Sequence, residues 1–442
     1  MLLEFRTKNY KSFVEETSFS MVTAPKQKGL DYSLCTEKIK GKTIKGLSSS
    51  VIYGPNAAGK TNIIGAMDVM RAIILRGNIR NSEEKSSPNP ASAALELIPN
   101  NSKEQSEPVE LAVKFVEDGM EIAYSLTANL GSFLDDAYKR KIVKEELIVN
   151  GEKIFLRTDH LTIGNLKQMK TFIADSVGNN VDGLIDISMN SLNQEELFLT
   201  NGFKLIFSQS LAKLITDWFT NKFMVIYRAD SVQLIKRFSD PQKKAVYVEK
   251  TTDKAAKLFG INSNALGYVV SDDEAEAKLC SLFKDGKNHK TSAMAAELFE
   301  SYGTIRFINM FPLVIRALLT GGTLVVDEFD ASIHPMALMS IINIFHNDDI
   351  NIHHAQLIFN THNPIFLNSN LYRRDEIKFV ERDDESHYSR LYSLSDFGTT
   401  GEKGVRKHAD YMKNYFVSEY GAIKDIDFTP IFEEIIASEG EV

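Results

Sequence analysis

Apolar and polar positions in the first twenty residues read as strand, turn, strand: Leu3 and Phe5, then Phe13, Phe19 and Met21, flank the polar run from Asn9 to Ser12. Ser50-Val51-Ile52-Tyr53 is a short apolar run that halts at a glycine, and Ile63, Met67, Met70 and Ile74 follow at helical spacing. That pattern predicts a buried strand, a tight loop, and a helix starting near Thr61. Residues 78 to 108, rich in Ser, Asn, Pro and Glu, read as an exposed connection. Period two takes over from Val109 to Arg157: VELAVKFV, EIAYSLTANL and KIVKEELIVN, with a turn at Asn150-Gly151, predict an antiparallel meander. Residues 160 to 300 read mainly as helices, GFKLIFSQSLAKLITDWF and AEAKLCSLF among them. They carry no sustained heptad seam, so a long coiled-coil arm is not expected. From Ser301 the α/β alternation returns: a helix to Leu319, a strand at Thr323–Val326, a helix from Pro335, a strand at Gln356–Phe359, then the strand-like EIKFVER and YSRLYSL.

Composition narrows the class. The chain has 442 residues, 43% hydrophobic and 25% charged, which is enough for two or three domains or one large domain with an insertion. A net charge of −8 supplies no global basic field for nucleic acid, although a local stripe would still allow DNA contact. The two cysteines, Cys35 and Cys280, lie far apart and outside any CxxC pattern, which argues against a disulfide framework and fits the cytoplasm. Phe307 to Leu319, the most apolar long stretch, is interrupted by Arg316 and short for a bilayer, so no membrane association is expected. His353-His354 and Asp383-Asp384 fall in polar turns and read as solvated pairs rather than metal ligands.

The chemistry is concentrated in a few segments. Gly54-Pro55-Asn56-Ala57-Ala58-Gly59-Lys60-Thr61 fits GxxxxGK[ST] at every position and stands between the apolar strand and the amphipathic helix. Such a loop closes backbone N–H groups on the phosphates of ATP, with Lys60 reaching the β and γ phosphates and Thr61 offering a hydroxyl to Mg2+. Asn62 completes the candidate nucleotide-binding stretch. Thr323-Leu324-Val325-Val326-Asp327-Glu328 is an apolar strand ending in two carboxylates. In a parallel sheet it would deliver them beside the phosphate loop, Asp327 to the metal and Glu328 to an attacking water. Gln356 to Phe359 leads to Asn360-Thr361-His362-Asn363-Pro364, which puts His362 at another strand end.

Taken in order, the phosphate loop, Ser301-Tyr302-Gly303-Thr304, the acidic strand, Asp330-Ala331-Ser332-Ile333-His334-Pro335 and Thr361-His362-Asn363 resemble the ATPase heads of the ABC class, in the RecF and SMC branch. Asn9-Tyr10-Lys11-Ser12-Phe13, Arg373-Arg374-Asp375-Glu376-Ile377, Leu391 to Phe397 and Tyr420-Gly421-Ala422-Ile423 extend the resemblance to the bacterial abortive-infection ATPases called AbiLi or RloA. The resemblance covers residues 1 to about 160 and 296 to 425. It implies an α/β P-loop head with an antiparallel β lobe and an inserted helical lobe: 1–160 for the first part of the head, 161–295 for the insertion, 296–442 for the rest. By position it makes Ser301 and Gly303 the signature segment facing ATP on a second subunit, His362 the switch histidine and Asp330 a residue of the dimer seam. Ser301 read alone is also a good helix cap. Here the segment is SYGT rather than LSGGQ, and no Q-loop glutamine stands in a motif. The implied protein is a homodimeric or larger ATPase switch controlling a separately encoded nuclease or toxin. The alternative is a RecF-like ATPase acting on DNA. A built-in nuclease of the OLD type finds no acidic cluster after His362, and a transporter subunit ranks last.

Overall fold

The computed structural model describes residues 1–25, 27, 29–80, 95–102, 107–131, 138–164, 181–227, 245–248, 250–258, 265–270, 277–284, 291–398, 404–406 and 409–439. A six-stranded sheet organises them. Phe223–Ile226, Thr323–Val326, Gln356–Asn360, Ser49–Tyr53 and Ile377–Arg382 lie side by side in that order, all parallel, and Ser389–Ser393 closes the far edge antiparallel. Parallel strands are joined through helices that cover both faces, so they carry apolar residues on both. Ile52, Val325, Ile358 and Val380 point into one core. Their neighbours Val51, Tyr53, Leu324, Val326, Leu357 and Phe359 point into the other.

The first core is closed by helix Lys60–Arg76, which buries Ile63, Met67, Met70 and Ile74 at the spacing read from the sequence. Beyond the helix lies a seven-stranded antiparallel sheet, ordered Leu161–Ile163, Glu152–Arg157, Lys141–Val149, Met120–Asn129, Val109–Glu117, Leu2–Lys8 and Thr17–Ser20. Its hairpin of Lys141–Val149 and Glu152–Arg157 turns at Asn150 and Gly151, both left-handed (φ 52° and 81°), as a two-residue turn between twisted strands requires. The second core is closed by helices Tyr302–Thr320 and Pro335–Phe345. Tyr302–Thr320 is, among the described residues, the one helix long and apolar enough to cross a bilayer by length and composition. In this structure Phe307, Met310, Val314 and Ala317 instead pack it onto the sheet.

Two sequence expectations change. The stretch 161–295, read as a helical insertion, opens on the edge strand Leu161–Ile163, continues in helices Val181–Ser191 and Gln209–Asn221, and ends in a separate four-stranded antiparallel sheet of Ala245–Tyr247, Ala265–Val270, Ala277–Lys284 and Thr291–Ala295. The AEAKLCSLF segment therefore forms a strand over its described part. Leu279, Leu282 and Phe283 mimic helical spacing, yet partner strands on both sides satisfy the backbone there. Phe223–Ile226, also inside the insertion, is an edge strand of the central sheet. The second change concerns residues 78–108, of which 81–94 and 103–106 lie outside the described residues. The described part is not simply exposed: Leu95 and Leu97 are buried in the first core, and the Lys11 N–H donates to the Ile98 carbonyl at 3.1 Å.

Candidate active site

The phosphate loop leaves the strand Ser49–Tyr53 at the C-terminal edge of the sheet. Its glycines are required by space. A Cβ on Gly54 would lie 2.2 Å from the Val380 carbonyl oxygen of the neighbouring strand, and one on Gly59 (φ 110°) would lie 2.6 Å from Ser389 Oγ. Pro55, Asn56 and Ala57 form the outward turn, with Ala57 left-handed at φ 63°, while Ala58 is buried. The turn is braced from behind. Asn62 Nδ2 donates to Ser12 Oγ at 2.8 Å. Ser389 Oγ donates to the Ala58 carbonyl at 2.6 Å and lies 2.7 Å from Ser12 Oγ. The helix that follows presents its N-terminus to the loop, an arrangement that favours an anion.

Lys60 is 5% exposed and donates from Nζ to the Gly54 and Pro55 carbonyls at 2.8 and 2.9 Å. An ammonium has three donors, so one remains for a phosphate oxygen. Burial pushes its pKa down to about 8, against the opposing pull of Glu328 and Asp327. Thr61 Oγ1 donates to Asp327 Oδ1 at 3.1 Å, and Asn360 Nδ2 donates to the same oxygen at 2.6 Å. Asp327 is buried and Glu328 is exposed beside it. Glu328 is left-handed (φ 51°), an unusual conformation for a residue with a Cβ. Its N–H donates to Asn360 Oδ1 and its carbonyl accepts from Arg306 Nη2.

The histidine strand supplies the remaining groups. Thr361 Oγ1 donates to Asp330 Oδ2 at 2.6 Å, and Tyr53 OH donates to the Asn363 carbonyl at 3.0 Å, so the turn around His362 is tied to the acidic segment and to the phosphate-loop strand. His362 is exposed. Partial burial and then the Lys60 charge push its pKa below the ordinary value, while Asp330 and Asp327 pull it back. Burial raises the Asp330 carboxyl, opposed by the Thr361 hydrogen bond and by the charges of His362 and Arg306.

The structure thus gathers Lys60, Thr61, Asp327 and Glu328 at one crevice, with His362 close enough for the Lys60 charge to act on it. Ser301 and Gly303 stand elsewhere, at the start of helix Tyr302–Thr320. Ser301 is the N-cap of that helix, accepting from the Thr304 N–H at 3.1 Å. Gly303 packs on the following loop: a Cβ there would be 2.0 Å from the Ser332 carbonyl oxygen. Both residues therefore have work within their own chain. Ser301 and Tyr302 are nonetheless exposed, so their outward face is open to a second molecule.

Asn360, Arg306, Ser12 and Ser389 had no assigned role in the sequence reading. Each acts through a partner distant in the chain, and only Asn360, next to Thr361-His362, and Ser12, within Asn9-Tyr10-Lys11-Ser12-Phe13, stood in a local motif. Among the described residues no group of three or more His, Cys, Asp or Glu side chains is placed to hold a metal by itself. The pair of Thr61 Oγ1 and Asp327 Oδ1 does fit a hard cation that takes its other oxygens from phosphates and water. Together with the loop and Lys60, these residues suit a nucleoside triphosphate with Mg2+.

A parallel sheet with a glycine-lined phosphate loop, a lysine and an acidic neighbouring strand defines a P-loop ATPase domain. The chain belongs to the family described as "AAA domain, putative AbiEii toxin, Type IV TA system", which matches residues 49–175 and 205–368. No curated protein matches it in sequence. Among solved structures it is similar to the SMC head domain from Thermotoga maritima, with 13% identity, 89% of this chain and 98% of that one covered, and a TM-score of 0.34. It is also similar to an SmcHead bound to the C-winged helix domain of ScpA, at 12% identity, with 89% and 98% covered and a TM-score of 0.38. A third is the Smc head with an extended coiled coil bound to the C-terminal domain of ScpA, derived from Pyrococcus furiosus, at 11% identity, with 89% and 96% covered and a TM-score of 0.37.

Proposed function

We propose that this chain is an ABC-type ATPase of the AbiLi and RloA kind, which binds and hydrolyses ATP and uses it to pair two heads. In the cytoplasm of a phage-infected cell the pairing would control a separately encoded effector, a nuclease or toxin. The observation that carries the reading is the contiguous set Lys60, Thr61, Asp327, Asn360 and Glu328. Thr61, Asp327, Asn360 and Glu328 form one hydrogen-bonded cluster, and Lys60, held on the loop carbonyls, lies close enough to feel the charges of both acids.

The roles follow from position. Lys60 brings a positive charge, already partly desolvated, against the β and γ phosphates. Thr61 and Asp327 would hold Mg2+, which neutralises charge on the phosphate oxygens. Glu328 is exposed and held by its backbone rather than its side chain, so its carboxylate is free to orient water and take its proton. His362, at the neighbouring strand end, can donate a hydrogen bond toward the γ phosphate. Ser301 and Tyr302, exposed at a helix start, would meet the ATP of the second head.

Phosphate release from ATP by the purified protein tests the enzymatic part, with Glu328→Gln as control. Co-purification with the product of the adjacent gene, with and without ATP, tests the switch. Absence of turnover would refute the first part. A salt-sensitive shift of DNA, with no ATP-dependent protein partner, would replace the second with the RecF-like reading.

A further inference from the structure

Arg306 lies on helix Tyr302–Thr320, one turn beyond Gly303, and is only 4% exposed. A buried guanidinium is costly unless it is well paired. Yet its Nε and Nη1 have no hydrogen-bond partner among the described residues, and Nη2 goes to a backbone carbonyl, that of Glu328. The neighbouring carboxylate of Asp330, the obvious ion-pair partner, instead accepts from Thr361. Glu328, for its part, holds a left-handed backbone conformation (φ 51°), uncommon for a residue with a Cβ. The peptide groups on both sides of its Cα are fixed, the N–H by Asn360 and the carbonyl by Arg306. The same helix also touches the loop at Gly303, against the Ser332 carbonyl. Two contacts about 4.5 Å apart along a rigid helix grip the segment from Glu328 to Ser332.

We propose that Arg306 and Asn360 form a backbone clamp that aims the Glu328 carboxylate, with Arg306 the positioning residue that joins the Ser301–Gly303 end of its helix to that carboxylate. This rests on the ATPase reading above. Asn360 sets the register of both acids, since its amide touches Asp327 with one end and Glu328 with the other. Arg306 adds the connection to the exposed helix start, so a body docking on Ser301 and Tyr302 shifts the helix and, through one hydrogen bond, the glutamate. The proposal accounts for a buried arginine with two idle nitrogens: its place is set by the geometry it imposes.

The test uses Arg306→Gln and Arg306→Lys in the full chain, alone and combined with Glu328→Gln. Three quantities are read: affinity for a fluorescent ATP analogue, steady-state kcat and KM, and melting temperature. The clamp predicts kcat lowered about 10- to 100-fold in Arg306→Gln with analogue affinity and KM within about threefold. Arg306→Lys, which keeps one donor, should recover part of the loss. Adding Arg306→Gln to Glu328→Gln should cost nothing further, because both act through one carboxylate. If Arg306→Gln fails to fold, the lysine variant alone must still show lowered kcat at unchanged KM. Unchanged kcat in a folded variant, equal losses in affinity and turnover, or additive losses in the double variant would overturn the clamp. A wild-type protein that binds the analogue but never releases phosphate would refute the ATPase reading itself, and the clamp would fall with it.

Discussion

The Lys60 ammonium sits low enough on the pH scale to make nucleotide affinity depend on pH. The structure holds it at about 8, against an ordinary 10.5, chiefly by burial. Phosphates bind the charged form, so a bound nucleotide raises the pKa again. A group whose bound-state value exceeds its free value contributes fully below the free value and is lost as pH rises through it. ATP affinity should therefore be flat below about pH 8 and fall about tenfold per pH unit above it. Return to the ordinary value corresponds to about 3 kcal/mol of coupling in all. The assay is titration of a fluorescent ATP analogue between about pH 7.5 and 9.5, where the terminal phosphate is already fully ionised. Lys60→Arg, charged throughout, serves as the pH-independent control if it still binds. Lys60→Ala should bind no analogue at any pH. Affinity that stays constant across the range in wild type would refute the claim that a desolvated Lys60 meets the phosphates.

Other outcomes follow from the same geometry. Glu328→Gln should keep ATP affinity and slow phosphate release at least about 100-fold, read in a single-turnover assay. Asn360→Asp would set a second carboxylate where an amide now lies 2.6 Å from Asp327, so affinity for ATP without Mg2+ should drop through the added negative charge, while Mg2+ recovers part of the loss. Gly303→Ala should lower the melting temperature of the isolated chain, because its Cβ would meet the Ser332 carbonyl. Glu145 is fully buried and accepts from the Phe198 and Leu199 N–H groups and from Tyr124 OH, with Arg157 at 3.5 Å. Glu145→Ala should cost about 3–5 kcal/mol in denaturant unfolding, since it takes the carboxylate from buried Arg157, which keeps only the Glu196 and Asn193 carbonyls, and leaves three donors without an acceptor.

What could be read from the sequence was local. The phosphate loop, its strand and its helix are set by adjacent residues, so Gly54, Gly59, Lys60 and the stripe from Ile63 to Ile74 were legible at once. The meander was equally plain, because period two and Asn150-Gly151 are short-range signals. The acidic strand was legible as a strand, but its meeting with Thr61 depends on sheet order, and that order places Gln356–Asn360 between it and the phosphate-loop strand. The insertion misled at Ala277–Lys284, where pairing with strands on both sides overrides a helical-looking spacing. The clamp on Glu328 was invisible, since Arg306, Glu328 and Asn360 are joined only through the fold. Gly303 had a sufficient reason inside its own chain, its contact with Ser332, which no motif discloses.

That contact also decides how ATP-driven pairing should be tested. A bulky residue at Gly303 would disturb the chain before it reached a partner, whereas Ser301 is exposed and its loss as a cap costs only about 1 kcal/mol. The decisive measurement is the mass of the Glu328→Gln protein in solution, by light scattering, with and without ATP and Mg2+. The account predicts a doubling with ATP that disappears in Glu328→Gln carrying Ser301→Arg, although that variant still binds the nucleotide, and also in the variant carrying Lys60→Ala. A mass unmoved by ATP, or a doubling that Ser301→Arg leaves intact, would contradict it.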